Sequence, residues 1–262
     1  MDKIEGAIQT IHKLDYKSAK NSIHPLIKLL LTVLYIILLT SINKYNIMKT
    51  IAMGIYLLII NMFFNIPIKE FLKRFKIIFI LLIFIGIANP ILDRTVITFL
   101  GIIPITTGFI SMITLILKGF FSIIASYFLI YTTSIENICY SLKLLHIPNI
   151  LITIVMLIYR YIILFLKEVQ RIWTAYKLRA PNQKGVNHKV WGSMIGSLMI
   201  RSIDRANIVY ESMELRGFNP DNFFIREIKF TKKDFIFLSL GILILIILRY
   251  IPIFELVGNI FV

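Results

Sequence analysis

Long apolar runs alternate with short polar stretches along most of this sequence. The runs lie at about residues 26–42, 47–64, 77–92, 108–131, 149–166 and 235–254. Most of them reach or approach the ~20 residues that a helix needs to cross the hydrocarbon layer of a membrane. A soluble helical protein would interrupt such runs with a polar face. The pattern therefore predicts an all-α polytopic membrane protein with about five membrane spans.

The charge distribution changes the picture, because the chain is both apolar and strongly basic. It is 58% hydrophobic and carries a formal net charge of +15. In a soluble protein this charge would suggest a nucleic-acid partner, but no compact cluster of Lys, Arg and aromatic residues is visible. Basic loops beside anionic membrane lipid explain the charge better, since Lys and Arg favour the cytoplasmic side. We expect contact with membrane lipid and none with nucleic acid.

The loop charges predict an orientation for the first four spans. Four lysines precede Pro25, and four basic residues lie in the loop at 65–76. The loops at 43–49 and 93–107 hold only two and one. The positive-inside rule then places the N-terminus in the cytoplasm and returns the chain to the cytoplasm near Thr132. The N-terminal 25 residues lack the apolar run of a cleavable signal peptide.

If the run at 149–166 crossed the membrane, it would place the next basic segment on the wrong side. Residues 167–234 carry thirteen Lys and Arg residues, which would all face outside if this run crossed the membrane. Arg160 lies in the middle of the run, where a lone charge at the bilayer centre is costly. We therefore predict that 149–166 lies in or under the inner leaflet. A true span, with Arg160 paired inside a helix bundle, stays open as the alternative.

These arguments divide the chain into three parts in a multi-pass protein of the cell membrane. Residues 1–132 form an N-terminal membrane domain with four spans, and residues 234–262 contain the last span. Between them, residues 133–233 form a cytoplasmic coupling domain of long crossing helices. The segment GIIPITTG at 101–108 predicts a short external hairpin, because glycines bound it and a proline interrupts it.

Three helices are predicted in the cytoplasmic part. The first is amphipathic and covers 134–148. The second runs from Asn149 to Arg179 or Ala180, before Pro181. The third runs from Lys189 to Arg216, before a glycine suited to the left-handed end of a helix. A stripe of large and small residues on the third helix suits a close crossing with another helix. The candidate contacts on this stripe are Trp191, Ile195, Leu198, Ala206 and Met213.

The two long helices end in the same local pattern. Leu178-Arg179-Ala180 ends the second helix and Leu215-Arg216-Gly217 ends the third. A cation in the last turn of a helix complements its dipole by ~0.3–1 kcal/mol. An arginine fork can also bond backbone carbonyls or a carboxylate of a partner with fixed geometry. Capping and docking are both open on pattern alone.

Catalytic and metal-binding patterns are missing from the sequence. There is no G-x-x-x-x-G-K-[ST] phosphate loop and no H-E-x-x-H pair, and the four histidines are scattered. Cys139 stands alone. We expect no catalytic residue, no metal site and no cofactor bound by this chain. Lys118 is the one odd charge within 108–131, and it could snorkel, contact a subunit or pack inside the bundle.

At the two arginine motifs the sequence resembles the transmembrane T component of energy-coupling factor (ECF) transporters. That family carries two arginine motifs, typically Ala-Arg-Gly, at the ends of two long cytoplasmic coupling helices. Both motifs of this chain keep the arginine but depart from Ala-Arg-Gly at flanking positions. SMELRGF at 212–218, HPLIKLL at 24–30 and YTTSIENICYSLKLLHIP at 131–148 extend the resemblance over nearly the whole chain.

The resemblance implies a non-enzymatic coupling subunit of an ABC-type importer. Arg179 and Arg216 would each enter a groove of one of two cytoplasmic ATPases, which would hold the ATP and Mg. A substrate-binding membrane subunit, of the S or CbiM-like kind, would receive the motion. The stretches MDKIEGAIQT and LIYRYIILFLKEVQRIWTA favour the cobalt or nickel branch, named CbiQ-like. Alternatives are a vitamin ECF transporter, a stand-alone secondary transporter and a membrane-embedded enzyme.

Overall fold

The computed structural model describes residues 23–67, 78–93, 96–100, 103–181, 185, 187–219 and 228–250. The basic N-terminal segment at 1–22 and most of the loop at 65–76 lie outside the described residues. The structure confirms an all-α membrane protein, with one short β-hairpin between two of its helices.

The helices follow the apolar runs closely. Their bounds are α1 Pro25–Thr40, α2 Ile47–Phe64, α3 78–86, α4 Ala88–Leu92, α5 Thr107–Thr132, α6 Ile135–Leu144, α7 Asn149–Arg179, α8 His188–Leu215 and α9 Lys232–Tyr250. By length and composition, three of the described helices suffice to cross a membrane, namely α2, α5 and α7. α1 is a shorter apolar helix, and α9 carries charged residues near both of its ends.

The predicted hairpin is present but begins earlier than expected. Strands β1, Val96–Leu100, and β2, Ile103–Thr106, pair in antiparallel fashion, with Leu100 opposite Ile103. The first strand is rich in residues with β-branched or aromatic side chains, which favour a pleated backbone. The prediction on GIIPITTG used only the Gly and Pro punctuation, and it therefore missed this strand.

The chain divides into two compact units. One, here called the insertion unit, comes from Ile135–Ile228 and contains α6, α7 and α8. The other, the bundle unit, comes from Ser18–Ser134 and Lys229–Val262 and contains the remaining helices and the hairpin. The two units are defined by the packing of residues and not by their position in a membrane. The division into membrane domains at 1–132, 133–233 and 234–262 stays a prediction.

Aromatic and aliphatic side chains from four helices form the core of the bundle unit. Tyr35 of α1 is fully buried and stacks on Tyr56 of α2, with 5.2 Å between ring centroids. Its hydroxyl donates to the carbonyl oxygen of Met53 at 3.3 Å, which satisfies the polar end of a buried tyrosine. The same core contains Leu39, Ala125, Phe128 and Leu245.

Hydrogen bonds at both ends of α1 fix its direction relative to α5. Lys28 Nζ, near the start of α1, donates to the carbonyl oxygen of Thr132 at 3.1 Å. Lys118 Nζ donates to the carbonyl oxygen of Thr40, at the end of α1, also at 3.1 Å. Since the start of α1 meets the end of α5, these two helices are antiparallel.

α9 runs parallel to α1. The backbone N–H of His24 donates to Asp234 Oδ1 at 2.8 Å, which joins the starts of both helices. Near their other ends, Arg249 Nη1 donates to the carbonyl oxygen of Leu38 at 2.7 Å. The end of α5 and the start of α9 therefore lie at the same end of α1.

This arrangement bears on whether the run at 149–166 crosses the membrane. Because the chain leaves the bundle unit after Thr132 and returns to it at the same end, the segment between must cross the membrane an even number of times or not at all. Among the described helices of the insertion unit, only α7 is long and apolar enough to cross. Arg160 is exposed and has no hydrogen-bond or ion-pair partner among the described residues. Both findings favour the prediction that 149–166 does not cross.

Lys118 packs within the bundle, which was one of the three possibilities open for it. Its ammonium also donates to the carbonyl oxygen of Ile42, beside that of Thr40. These carbonyls lie at the end of α1, where the last turn leaves its acceptors without helical partners. Lys118 therefore caps a neighbouring helix and complements the negative end of its dipole.

The two predicted external loops meet at Asp93. The Tyr45 hydroxyl donates to Asp93 Oδ2 and the Thr107 hydroxyl donates to Asp93 Oδ1, both at 2.9 Å. Lys44 forms a longer ion pair with the same carboxylate at 3.6 Å. The loop after α1 and the segment before α5 thus lie at one end of the bundle, as two loops on one side of a membrane must.

Candidate functional site

The first arginine motif ends α7 where the sequence predicted. The helix ends at Arg179, and the N–H of Ala180 still donates to the carbonyl oxygen of Tyr176 at 3.0 Å. Pro181 follows and has no N–H to continue the ladder. The Tyr176 hydroxyl accepts the backbone N–H of Asn187 at 3.2 Å, which holds the connection to α8 against the last turn.

The second arginine motif ends α8 in a Schellman motif. Gly217 adopts the left-handed conformation, with φ +66. Its N–H donates to the carbonyl oxygen of Glu214 at 2.9 Å, and the N–H of Phe218 donates to that of Met213 at 3.0 Å. This pair of bonds defines the motif. The expected role of Gly217 as the helix-ending glycine is therefore confirmed.

The arginines of both motifs lie on the surface of the protein. Arg179 and Arg216 are exposed, and neither guanidinium has a hydrogen-bond or ion-pair partner among the described residues. The leucines before them are also exposed, Leu178 by 79% and Leu215 by 89%. Capping by hydrogen bonds to the last carbonyls is thus not observed. Within the described residues, each helix end thus presents an unpaired cation beside an exposed leucine, and Ala180 is half-buried.

An ion pair that the sequence analysis missed connects α7 to α8. Arg201 Nη1 donates to Glu168 Oε1 at 2.6 Å, and Arg171 contacts the other oxygen of this carboxylate at 3.5 Å. Glu168 and Arg201 lie 33 residues apart, so spacing within one helix gives no sign of the contact. The pair borders a groove of about 970 Å³ between the two helices.

The predicted contact stripe on α8 is only partly placed between helices. Ala206 and Met213 line the groove against side chains of α7, and Leu198 is half-buried. Trp191 and Ile195 are exposed, while their neighbours Val190 and Met194 are half-buried. The exposure of Trp191 and Ile195 in the single chain does not test whether they contact another helix or a partner. A contact role for the full stripe stays a prediction.

No group of three or more His, Cys, Asp or Glu side chains that could hold a metal ion occurs in the part of the chain that the structure describes. Cys139 is buried in the insertion unit, with 1% of its surface exposed. Burial raises the pKa of its thiol, and the nearby Glu136 charge adds to this effect. A thiol kept protonated in this way is a poor nucleophile and a poor ligand.

Comparison with known protein families identifies a family for this chain. A sequence model of the CbiQ cobalt transport proteins matches residues 16–224, which include both arginine motifs. The chain belongs to the CbiQ family. This assignment confirms the resemblance to ECF T components in its cobalt branch. CbiQ proteins are transmembrane components of transporters and are not known as enzymes.

Individual relatives agree with the CbiQ assignment. An uncharacterised protein of Methanocaldococcus jannaschii is 31% identical over 80% of this chain and 76% of its own length. The energy-coupling factor transporter transmembrane protein EcfT of Ruminiclostridium cellulolyticum is 28% identical over 80% of this chain and 84% of its own. A putative fused cobalt transport protein, CbiMQ, of Methanocorpusculum labreanum is 31% identical over 44% of this chain and 20% of its own.

The family assignment and the apolar helices together show to which class of protein this chain belongs. The chain is a multi-pass membrane protein and a transmembrane component of an ECF-type transporter, which works with other transporter subunits.

Proposed function

We propose that this chain is the non-catalytic coupling subunit of a cobalt importer. It transmits ATP-driven motion of two cytoplasmic ABC-type ATPases to a substrate-binding membrane subunit. The observation that carries this proposal is the pair of exposed arginines at the ends of α7 and α8 in a CbiQ protein, neither of which has a partner among the described residues. ATP and Mg belong to the ATPases, and this chain supplies the mechanical connection.

The helix ends have the chemistry of docking anchors. A guanidinium fork can donate several hydrogen bonds with fixed geometry to carbonyls or carboxylates in a groove. Leu178 and Leu215, exposed beside the arginines, would gain ~1.5–3 kcal/mol each on burial in such a groove. Arginine is one of the residue types that most often dominate the binding energy of a protein interface.

The length and the crossing of these helices suit force transmission. α7 has 31 residues and, at ~1.5 Å per residue, spans roughly 47 Å. The Glu168–Arg201 ion pair joins α7 to α8 along their lengths. Movement of the two ends by a pair of ATPases would change the angle between two rigid rods, which is a common form of conformational coupling.

The substrate and its subunit are inferred from family relationships. The fused CbiMQ relative carries a part of another cobalt transport component in the same chain, which supports a CbiM-like partner and cobalt, or the similar nickel ion, as cargo. The EcfT relative covers most of this chain, so a vitamin transporter is the second candidate. Purification with the native substrate subunit followed by metal analysis separates the two.

The docking proposal predicts that Arg179→Ala and Arg216→Ala together abolish assembly. Each ATPase would lose its charged anchor, and transport would fall to the background level. Co-purification with the ATPase subunits from membranes measures assembly directly. Arg205→Ala is the matched control, because Arg205 is an exposed arginine on α8 with no partner among the described residues. Normal assembly and transport by the double variant would contradict the docking role.

The predicted orientation gives a second test. Ser193→Cys on α8 should react with a membrane-impermeant maleimide only after cells are permeabilised, because this residue is expected in the cytoplasm. Asn43→Cys, in the loop after α1, should react in intact cells. Both positions are exposed, and the native Cys139 is buried and gives little background. Labelling of Ser193→Cys in intact cells would refute the cytoplasmic position of 133–233.

A further inference from the structure

The groove between α7 and α8 lies within the insertion unit, where these two helices run antiparallel. Near the end of α7, the Tyr176 hydroxyl accepts the N–H of Asn187, which precedes α8. Earlier in α7, Glu168 pairs with Arg201 in the middle of α8. The first half of α7 therefore lies along the second half of α8.

One end of this groove is apolar. Its lining there includes Leu157, Ile158 and Phe165 of α7, and Ile208 and Met213 of α8. Ile158 leaves 60% of its surface exposed, Phe165 43% and Ile208 66%. A contiguous apolar surface of this kind marks a site that binds lipid, a ligand or another protein.

The other end of the groove is charged, and arginines outnumber carboxylates there. Its lining holds Arg171, Arg201 and Arg205 together with Glu168 and Asp204. Glu168 is engaged by Arg201 at 2.6 Å and by Arg171 at 3.5 Å. Arg205 is exposed and has no hydrogen-bond or ion-pair partner among the described residues. Because a guanidinium fork binds phosphate oxygens through parallel hydrogen bonds, this end has the chemistry of a phosphate site.

The size of the groove indicates a narrow ligand. Its volume is about 970 Å³, at the upper end of the ~300–1,000 Å³ typical of small-molecule sites. A helix about 10 Å across rises ~5.4 Å per turn, so that each turn fills roughly 400 Å³. A partner helix bound along the groove would therefore lie mostly outside it, whereas an extended chain fits within it.

The order of the two ends matches the expected position of α7. Residues 149–166 are expected in the inner leaflet and the basic residues that follow in the cytoplasm. The groove then passes from the hydrocarbon to the level of the headgroups between Phe165 and Glu168. A phospholipid has the same order of apolar chain and charged phosphate. Anionic lipids of the cytoplasmic leaflet are attracted to basic groups at its surface.

We propose that this groove binds one anionic phospholipid of the inner leaflet. An acyl chain lies along Leu157 and Phe165, and the phosphate accepts hydrogen bonds from Arg205 and Arg171. The lipid covers apolar surface of both helices and pairs with the guanidinium of Arg205. The site uses neither arginine motif, so it does not depend on the proposed docking of ATPases.

Native mass spectrometry of the full chain, purified without ATPases, tests this site. The chain is offered phosphatidylglycerol or phosphatidylcholine with the same acyl chains. We expect one phosphatidylglycerol per chain, held about tenfold more tightly than phosphatidylcholine, because only the first lipid carries a net negative charge. Equal retention of the two lipids overturns the proposal.

Substitutions of one arginine locate the phosphate. Arg205→Ala should weaken binding of phosphatidylglycerol about tenfold and leave that of phosphatidylcholine unchanged. Arg205→Lys should recover part of the loss, since it keeps the charge without the fork. Arg216→Ala is the matched control, because Arg216 is another exposed arginine that follows α8, has no partner among the described residues and does not line the groove. Equal loss in both alanine variants would show a general attraction to basic surface and overturn the site.

Ala206→Trp tests the groove itself. Ala206 lines the groove and is exposed, so an indole there fills the groove without disturbing a buried core. All the arginines remain, yet binding of phosphatidylglycerol should fall to the level of phosphatidylcholine. Unchanged binding overturns the proposal. Glycerol 3-phosphate, which has the phosphate but no acyl chains, should not displace the lipid, and displacement would show a site for free phosphate instead.

Purification of Ala206→Trp with the other transporter subunits separates a lipid from a partner helix. Both the ATPases and the substrate-binding subunit should still co-purify. Loss of the substrate-binding subunit with unchanged lipid binding would assign the groove to a partner helix and overturn the proposal. Failure of the docking proposal would show instead as normal assembly of the Arg179 and Arg216 double variant, and would leave the lipid result intact.

Discussion

Asp234→Ala is expected to destabilise the bundle unit by ~2–6 kcal/mol, because it leaves two backbone N–H groups without acceptors at ~1–3 kcal/mol each. The carboxylate is 1% exposed and accepts the N–H groups of His24 and Thr231, each at 2.8 Å. These donors belong to the starts of two different helices, so one substitution loosens α1 and α9 together. Unfolding by sodium dodecyl sulfate in mixed micelles measures the loss.

Thr231→Val provides a graded comparison for this prediction. It removes only the hydroxyl that donates to Asp234 at 2.7 Å and keeps every backbone bond. Thr231 is exposed, so the expected loss is about 1 kcal/mol or less. Equal stability of Asp234→Ala and the wild-type chain would show that water replaces the carboxylate and that the two helix starts are not joined through it.

Gly108→Ala is expected to disrupt the start of α5. An added methyl group would lie 2.5 Å from the carbonyl oxygen of Asp93 and 2.6 Å from that of Asn89. Both obstacles are backbone atoms of α4 and the residue after it, which cannot move aside as a side chain can. We expect a loss of about 3 kcal/mol, the upper range for overpacking, and failure of Gly108→Val to fold. Yield of monodisperse protein and the same micelle titration measure both effects.

Gly192→Ala is the control for a glycine in an open position. It lies in α8, and an added methyl group there meets nothing within 4 Å. Alanine favours a helix over glycine by about 1 kcal/mol, so this variant should be neutral or slightly more stable. Comparable damage from both substitutions would mean that glycine at 108 matters for reasons other than close approach to α4.

The helices were predictable because length and composition determine them. An apolar run of sufficient length forms a helix in lipid, where every backbone group must be satisfied internally. Proline and glycine mark the ends of α7 and α8, and Pro181 and Gly217 stand where those helices stop. The strand Val96–Leu100 was missed because the prediction used only glycine and proline to bound the hairpin.

The polar contacts of the bundle were not predictable from the sequence. Lys28 and Thr132 are 104 residues apart, and His24 and Asp234 are 210 residues apart. No local period connects such residues, and Lys28 in an apolar run looks like a side chain that snorkels to the surface. The arginine motifs were recognisable from their repetition and their resemblance to a family, but only the structure shows both guanidinium groups unpaired within the described chain.

The contacts of α1 also bear on the order of events during synthesis. The start of α1 carries a buried lysine and the His24 N–H, whose acceptor Asp234 is translated 210 residues later. At ~5–20 residues per second, the ribosome takes roughly 10–40 s to supply it. Until then the N–H of His24 lacks its acceptor, so the start of α1 is incomplete. A chain cut short before α9 would keep this defect permanently and present it to membrane proteases.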